Sequence, residues 1–387
     1  MHMTKRFFTL LLLLCATCLL HAANYLTFTA ETENSSFGIK NRSGYQSNIQ
    51  YSLDEGMTWN TLKNDTLIKL SQKGNKALLK GENIDKLAQY GNTCFVMTGR
   101  IAASGSVMSL LDGTGDKETK VGKRCFTYLF MDCASLTQAP ELPATGLSQN
   151  CYTCMFMNCT NLTQAPQLPA TELALFCYSS MFTNCTNLTL APQLPATELA
   201  EGCYHSMFNG CSKLVQAPQL LAKEIAKLCY YSMFENCVSL TKAPQLPATH
   251  LAEECYAGMF KGCSKLVQAP QLPATQLAEG CYAGMFNGCS KLVQAPQLPA
   301  TQLSEGCYAG MFEGCTKLTK APELPATKLY EDCYFNMFAN CTHLTQTPKL
   351  PKLPQGEKSY KYFEGIFNNC PNTQQDKVIN VEIRTVE

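Results

Sequence analysis

The sequence predicts a repeat solenoid of 26-residue coils, each a short strand plus a short helix, preceded by a small all-β sandwich. Three observations carry that expectation. Cysteines stand at 125, 151, 177, 203, 229, 255, 281, 307 and 333, each 26 residues after the last, with a second set eight residues behind them. Self-similarity at a fixed period of about 20 to 50 residues marks coils that bury their apolar faces only by stacking. The segments 263–288 and 289–314 differ at two of 26 positions, Ala278 against Ser304 and Asn287 against Glu313, so the array grew by duplication. Residues 24–112 lack the period and alternate apolar with polar side chains instead, as half-buried strands do.

One unit, CYAGMFNGCSKLVQAPQLPATQLSEG from Cys281, divides into three pieces. Cys281, Tyr282, Met285, Phe286 and Cys289 fall within a ~140° arc at 100° per residue, so CYAGMFNGC reads as a short helix with one buried face. Asn287 and Gly288 end it, as left-handed residues do at a helix C-terminus. Leu292, Ala295 and Leu298 are apolar points on an extended stretch, where Pro296 and Pro299 forbid helix and leave few backbone donors, so any strand is very short. Residues 300–303 turn back towards the next helix.

The unit resembles the BspA-like class of leucine-rich repeats found on bacterial surface proteins. There a helix ends in Phe, two residues, Cys, two residues, Leu, and an extended stretch with proline follows; Phe286, Cys289, Leu292, Leu298 and Pro299 occupy those places. The match recurs through nine units, and the resemblance implies a solenoid of leucine-rich-repeat type and a role in adhesion. Two departures stand out: the added Ala-Pro pair in the extended stretch, and Leu221 in place of the LPAT proline. From 355 the pattern returns with Tyr362 in the first cysteine's place before Phe367 and Cys370, which reads as a terminal cap.

Residues 1–23 have the layout of a secretory signal peptide: Lys5 and Arg6, an apolar run over 7–20, then Ala22 and Ala23. The run's 14 residues fall short of the ~20 that span a bilayer as a helix. The chain therefore divides into a signal peptide (1–23), the sandwich (24–112), the repeat solenoid with its cap (113–375) and a C-terminal edge strand or tail (376–387). It is expected to be exported, and secreted or held at the cell surface without a membrane span. With 31 basic against 30 acidic residues, nothing in the bulk charge draws nucleic acid.

Candidate sites follow from the same reading. Glutamine recurs on the extended stretch at Gln167, Gln193, Gln219, Gln245, Gln271 and Gln297, with Gln164, Gln216, Gln268 and Gln294 three residues earlier in their units. Stacking at ~4.8 Å would turn them into a polar stripe, serving either as a binding face or as amides bonded to one another along the solenoid. In the N-terminal unit, Ser52, Asp54, Gly56, Thr58 and Trp59 match the Asp-box hairpin of sialidase-like propellers. Asp54 bonds its own turn, Gly56 permits the bend and Trp59 packs beneath; one copy makes a stable hairpin, not a propeller.

The other chemistry is sparse. Cysteines at the two ends of a helical CYAGMFNGC would sit ~12 Å apart, beyond the ~7 Å reach of a disulfide. Bridges between coils and packed free thiols both remain open. Metal binding needs ligands that converge, and Cys151 with Cys154 is the one close pair outside the ladder. Positions that merely recur cannot assemble a catalytic acid, base and nucleophile, so no enzyme activity and no cofactor are expected. The expected function is adhesion or protein–protein interaction through the solenoid face, with a host or other-cell surface protein, an extracellular matrix protein or a glycan as partner. A display scaffold and a carbohydrate-binding accessory are the alternatives, and the oligomeric state is open.

Overall fold

The computed structural model describes residues 23–41, 47–83, 87, 93–353 and 355–373. The tail 376–387 and nearly all of the expected signal peptide, 1–23, lie outside them. In the N-terminal unit the alternating segments form two sheets. Strands β1 (Leu26–Ala30), β3 (Ile49–Ser52), β4 (Asn60–Thr61), β6 (Lys76–Gly81) and β8 (Ile101–Ser104) pair antiparallel in the order β4-β3-β6-β1-β8. Strands β2 (Ser35–Asn41), β5 (Leu67–Leu70) and β7 (Thr93–Thr98) pair antiparallel in the order β5-β2-β7. Period-two alternation turns Phe28 from one sheet edge-on to Phe37 and Phe95 from the other, at 5.2 and 5.0 Å between ring centroids. Beyond them a four-residue helix, α1 (Ser109–Asp112), packs on β6, where Ser109 donates to the Leu79 carbonyl.

The larger sheet does not stop at the sandwich. Strand β9 (Leu136–Gln138), from the first repeat, adds to β8 in parallel, which makes the sheet mixed. Phe95 stacks on Phe130 at 5.1 Å, its N–H donates to the Leu129 carbonyl, and the Cys133 thiol donates back to the Phe95 carbonyl at 3.1 Å. The sandwich thus stands where a preceding coil would, and one apolar core runs unbroken from Leu26 to Cys370.

The repeats are where the expectation fails. No leucine-rich-repeat solenoid of strand plus helix forms: the second helix among the described residues is another four-residue piece, α2 (Tyr360–Phe363), in the terminal unit. The CYAGMFNGC segment is instead a chain of overlapping turns. The N–H groups of Ala283, Met285, Asn287 and Cys289 each donate three residues back. The residues between them, Gly280, Tyr282, Gly284, Phe286 and Gly288, donate outward to carbonyls of the next coil, Glu305 through Glu313, at 2.7 to 3.0 Å. The cause is backbone handedness. Gly280, Gly284 and Gly288 have φ of 56, 59 and 73°, whereas an α-helix needs an unbroken right-handed run. Other units keep the left-handed backbone at these three places, often with asparagine, as at Asn158, Asn184, Asn236, Asn336 and Asn340, but also with Phe176 and Leu228.

The apolar set predicted for the helix face is buried all the same, by a different route. Tyr152, Tyr178, Tyr204, Tyr230, Tyr256, Tyr282, Tyr308 and Tyr334 form one ladder, closed by Phe363; ring centroids lie 5.6 to 6.1 Å apart with planes within 16°. A second ladder runs from Phe130 through Phe156 and its equivalents to Phe338 and Phe367, at 5.4 to 5.8 Å. Such offset stacks add about 0.5–1.5 kcal/mol per pair to the burial of the rings. The extended stretches pair sparsely, through single-residue bridges such as Gln268 with Gln294 and through the two-residue strands β10 (Glu224–Ile225) and β11 (His250–Leu251). Their prolines supply the reason.

If backbone handedness selects this turn chain, Gly284 is a sharp probe. A Cβ there would meet nothing nearer than 4.0 Å, so a substitution pays only for its backbone. Gly284→Asn is expected to cost under ~1 kcal/mol and Gly284→Val about 1–3 kcal/mol, measured as the difference in urea midpoints. Equal costs would contradict the handedness argument.

Candidate functional site

All ten predicted glutamines project from the extended side of the array and are exposed. Leu272 and Ala274 show the local logic: they point inward and are buried, so Gln271 and Thr275 beside them point out. The two glutamine rows lie on one face. Among the described residues none of the ten side-chain amides has a hydrogen-bond partner in the chain, so they do not bond to one another along the array. Between adjacent stretches the prolines wall shallow clefts at both ends of the face. One, of about 400 Å³, is rimmed by Gln138, Glu141, Gln164 and Gln167; the other, of about 350 Å³, by Gln294, Gln297, Lys320 and Glu323. Alongside run half-exposed Val215, Val267 and Val293 and exposed Lys213, Lys265, Lys291 and Lys317. The face therefore offers amide donors and acceptors, cations and apolar contact together.

The Asp-box residues meet in the turn between β3 and β4. Ser52 donates to Asp54 Oδ1 at 2.7 Å and accepts the Gly56 N–H at 2.8 Å, and Gly56 takes a φ of 91°. Thr58 donates to Asp54 twice, from its N–H at 2.9 Å and its hydroxyl at 2.6 Å. These bonds, the Thr58 hydroxyl first, hold the Asp54 carboxyl down at about 2. Trp59 packs edge-on to Tyr25 at 5.1 Å and carries Lys80 Nζ over its face at 4.0 Å. The side chains of Ser52, Asp54 and Thr58 are all spent on the turn itself. A carboxyl bound more tightly folded than unfolded stabilises fully above its unfolded value near 3.8, and that contribution disappears as pH falls through about 2. Asp54→Asn should therefore lower Tm at pH 6, and the gap from the parent should close between pH 4 and 2.

The cysteines settle into two thiol ladders. None of the 21 cysteines from Cys94 to Cys370 forms a disulfide, and all but Cys154 are buried. The second cysteine of each unit donates its S–H to the phenylalanine carbonyl of the preceding coil, as Cys159 does to Phe130, Cys211 to Phe182 and Cys315 to Phe286, each at 3.1 Å. Burial pushes the thiols of Cys125, Cys151, Cys211, Cys255 and Cys263 up to about 12. Burial likewise raises the hydroxyls of the tyrosine ladder. These groups stay protonated in the fold at pH values where the unfolded chain would ionise. Their contribution is intact below pH 9 and is lost as pH climbs from 9 towards 12. Circular dichroism should record steep, cooperative alkaline unfolding in that window, and a flat profile to pH 12 would refute it.

Among the described residues no three His, Cys, Asp or Glu side chains gather as a metal site, and Cys151 and Cys154 face different ways, one buried and one on the turn surface. No helix among them is long and apolar enough to cross a membrane. Comparison with protein-family models, curated proteins and solved structures finds no match to this chain. One concave surface escaped the sequence reading. On the turn side, Ala257, Ala283 and Ala309 lay a floor between Tyr231 and Phe335. Its signal was alanine in three consecutive units at a place where the others carry Thr153, Ser179, His205, Tyr231 or Phe335.

Proposed function

We propose that this chain is an exported, non-catalytic binding protein that adheres to a protein on a host or neighbouring cell through the glutamine face of its repeat array. The observation that carries the proposal is the ten exposed amides with no partner in the chain, set between proline-walled clefts and flanked by valine and lysine rows. Polar groups held ready on a rigid array, beside apolar surface, lose little freedom when a partner arrives. The resemblance of the repeat unit to BspA-like surface repeats points the same way.

The test replaces Gln219, Gln245, Gln271 and Gln297 by serine in the full chain and measures capture on immobilised extracellular-matrix proteins and on a glycan array. Exposed substitutions of this kind shift stability within about 0.5 kcal/mol each, so Tm should hold. Matrix binding should weaken at least about tenfold, the equivalent of ~1.4 kcal/mol. Unchanged matrix binding would overturn the proposal, and so would capture by glycans alone.

A further inference from the structure

The turn side of the array carries a second concave surface, a groove of about 570 Å³ that crosses the coils between Tyr231 and Phe335. Its floor is backbone and methyl groups, from Ala257, Gly258, Ala283, Gly284 and Ala309. One wall is acidic, with Glu254, Glu279, Glu305 and Asp332 contributed by four successive coils. None of these four has an ion-pair or side-chain hydrogen-bond partner among the described residues, whereas Lys261, the cation lining the groove, is already paired with Glu235 at 3.5 Å. Glu279, Glu305 and Asp332 are therefore uncommitted, whereas Glu254 feels the charge of Lys227, which is bonded to the adjacent Glu253.

A second, independent feature points to a ligand. Ser206 and Ser232 line the same groove, retain only 9% and 5% of their exposure, and have hydroxyls without a hydrogen-bond partner in the chain. These hydroxyls open onto the groove, where a polar group of a ligand can pair with them. The aromatic ends add a third: Tyr231 stacks on His205 at 4.9 Å, and Phe335 is 36% exposed. A half-buried ring at one end of an acidic trough and an exposed one at the other are receptive to cations.

The spacing chooses among cationic ligands. Ring stacking sets successive coils 5.7 to 5.9 Å apart in this region. Carboxylates contributed one per coil do not converge on one metal ion, whose oxygen ligands must all lie within ~2.6 Å of it. They suit charges distributed along a line. From Glu254 to Asp332 is three coil steps, roughly the length of five residues of extended chain at ~3.4 Å each, and same-side lysines on such a chain fall ~6.8 Å apart, within the flexible reach of their side chains. The small floor lets a backbone lie close, and the two serine hydroxyls face it.

We propose that this groove binds an extended polypeptide segment bearing lysine or arginine at alternate positions. The proposal rests on the reading of the chain as a binding protein but assigns it a second face and a defined ligand chemistry. The test is fluorescence anisotropy of the full chain with a labelled decapeptide of alternating lysine and threonine, beside glutamate–threonine and glutamine–threonine counterparts. The lysine peptide alone should bind, and binding should fall as salt rises. Glu279→Gln with Glu305→Gln, both on the surface, should weaken it at least tenfold, and Ala283→Trp, which fills the floor, should abolish it. The serine substitutions on the glutamine face should leave it unchanged, so failure of either face is read separately. Equal binding of the three peptides, an unaltered Kd in the double glutamate variant, or displacement by spermine at matched charge would each overturn the proposal.

Discussion

The array depends on one backbone device: a chain of turns in which every second N–H is turned away from its own coil and towards the carbonyls of the next. In the unit at Cys281 five such bonds leave the coil, from Gly280, Tyr282, Gly284, Phe286 and Gly288. A single coil satisfies only half of these donors, so it has no stable state alone and each coil is completed by its neighbour. The bonds also fix register. Once five donors on one coil meet five acceptors on the next, Tyr must stack on Tyr and Phe on Phe, which is what both ladders show. The carbonyls of the first coil have no preceding coil to fill them, and the sandwich supplies the donors. Phe95, Ile101 and Val107 donate to Leu129, Ser135 and Glu141, and Phe95 is the first rung of the phenylalanine ladder.

Cysteine is the side chain this geometry asks for at the end of the turn chain. The carbonyl of Phe286 already accepts the Cys289 N–H within its own coil, and the Cys315 thiol from the next coil takes its remaining lone pair at 3.1 Å. Alanine would leave that lone pair without a partner in a site closed to water. Serine would satisfy it but bring a more strongly hydrated hydroxyl into an apolar core, with a larger desolvation cost. A thiol packs as a small hydrophobe and still makes a weak bond. The thiols were thus misread if taken as a framework for covalent bridges: they are packing groups of the core.

Much of this was legible in the sequence, and the part that was not has a definite physical origin. The period, the unit boundaries and the inward-facing residues follow from spacing alone, because any stacked coil must bury Tyr282, Met285, Phe286 and Leu292. Spacing did not separate a helix from a turn chain, since both bring residues three and four apart to one side. The discriminating signal lay in the residues between: glycine at 280, 284 and 288, with asparagine, serine or aspartate in many equivalent places, though diluted by Phe176, Leu228 and Glu254. Asn287 and Gly288 read as a left-handed helix stop, while positive φ at four-residue intervals, at Gly280, Gly284 and Gly288, excludes the helix altogether. The exposure of the glutamines was legible from alternation around Leu298 and Ala300, but whether the amides bonded to each other was not, because that depends on side-chain torsions which the pattern leaves free.

The same division between inward and outward positions gives the array two chemically opposed sides. Lys213, Lys265, Lys291 and Lys317 stand beside the glutamines, whereas Glu254, Glu279, Glu305 and Asp332 stand on the turn side. A net charge of +1 conceals this separation. Because the outward residues make few bonds to the core, duplication can copy a coil intact while substitution alters what it presents, as Asn287 and Glu313 show at otherwise matching places. Asn287 donates to Glu313 at 3.0 Å across the two coils, so even that change is absorbed by a surface bond and leaves the ladders beneath undisturbed. A fold held by backbone register and buried rings can vary its outer faces unit by unit, and the alanine floor between Tyr231 and Phe335 is what such variation leaves when three neighbouring coils lose their side chains at one place.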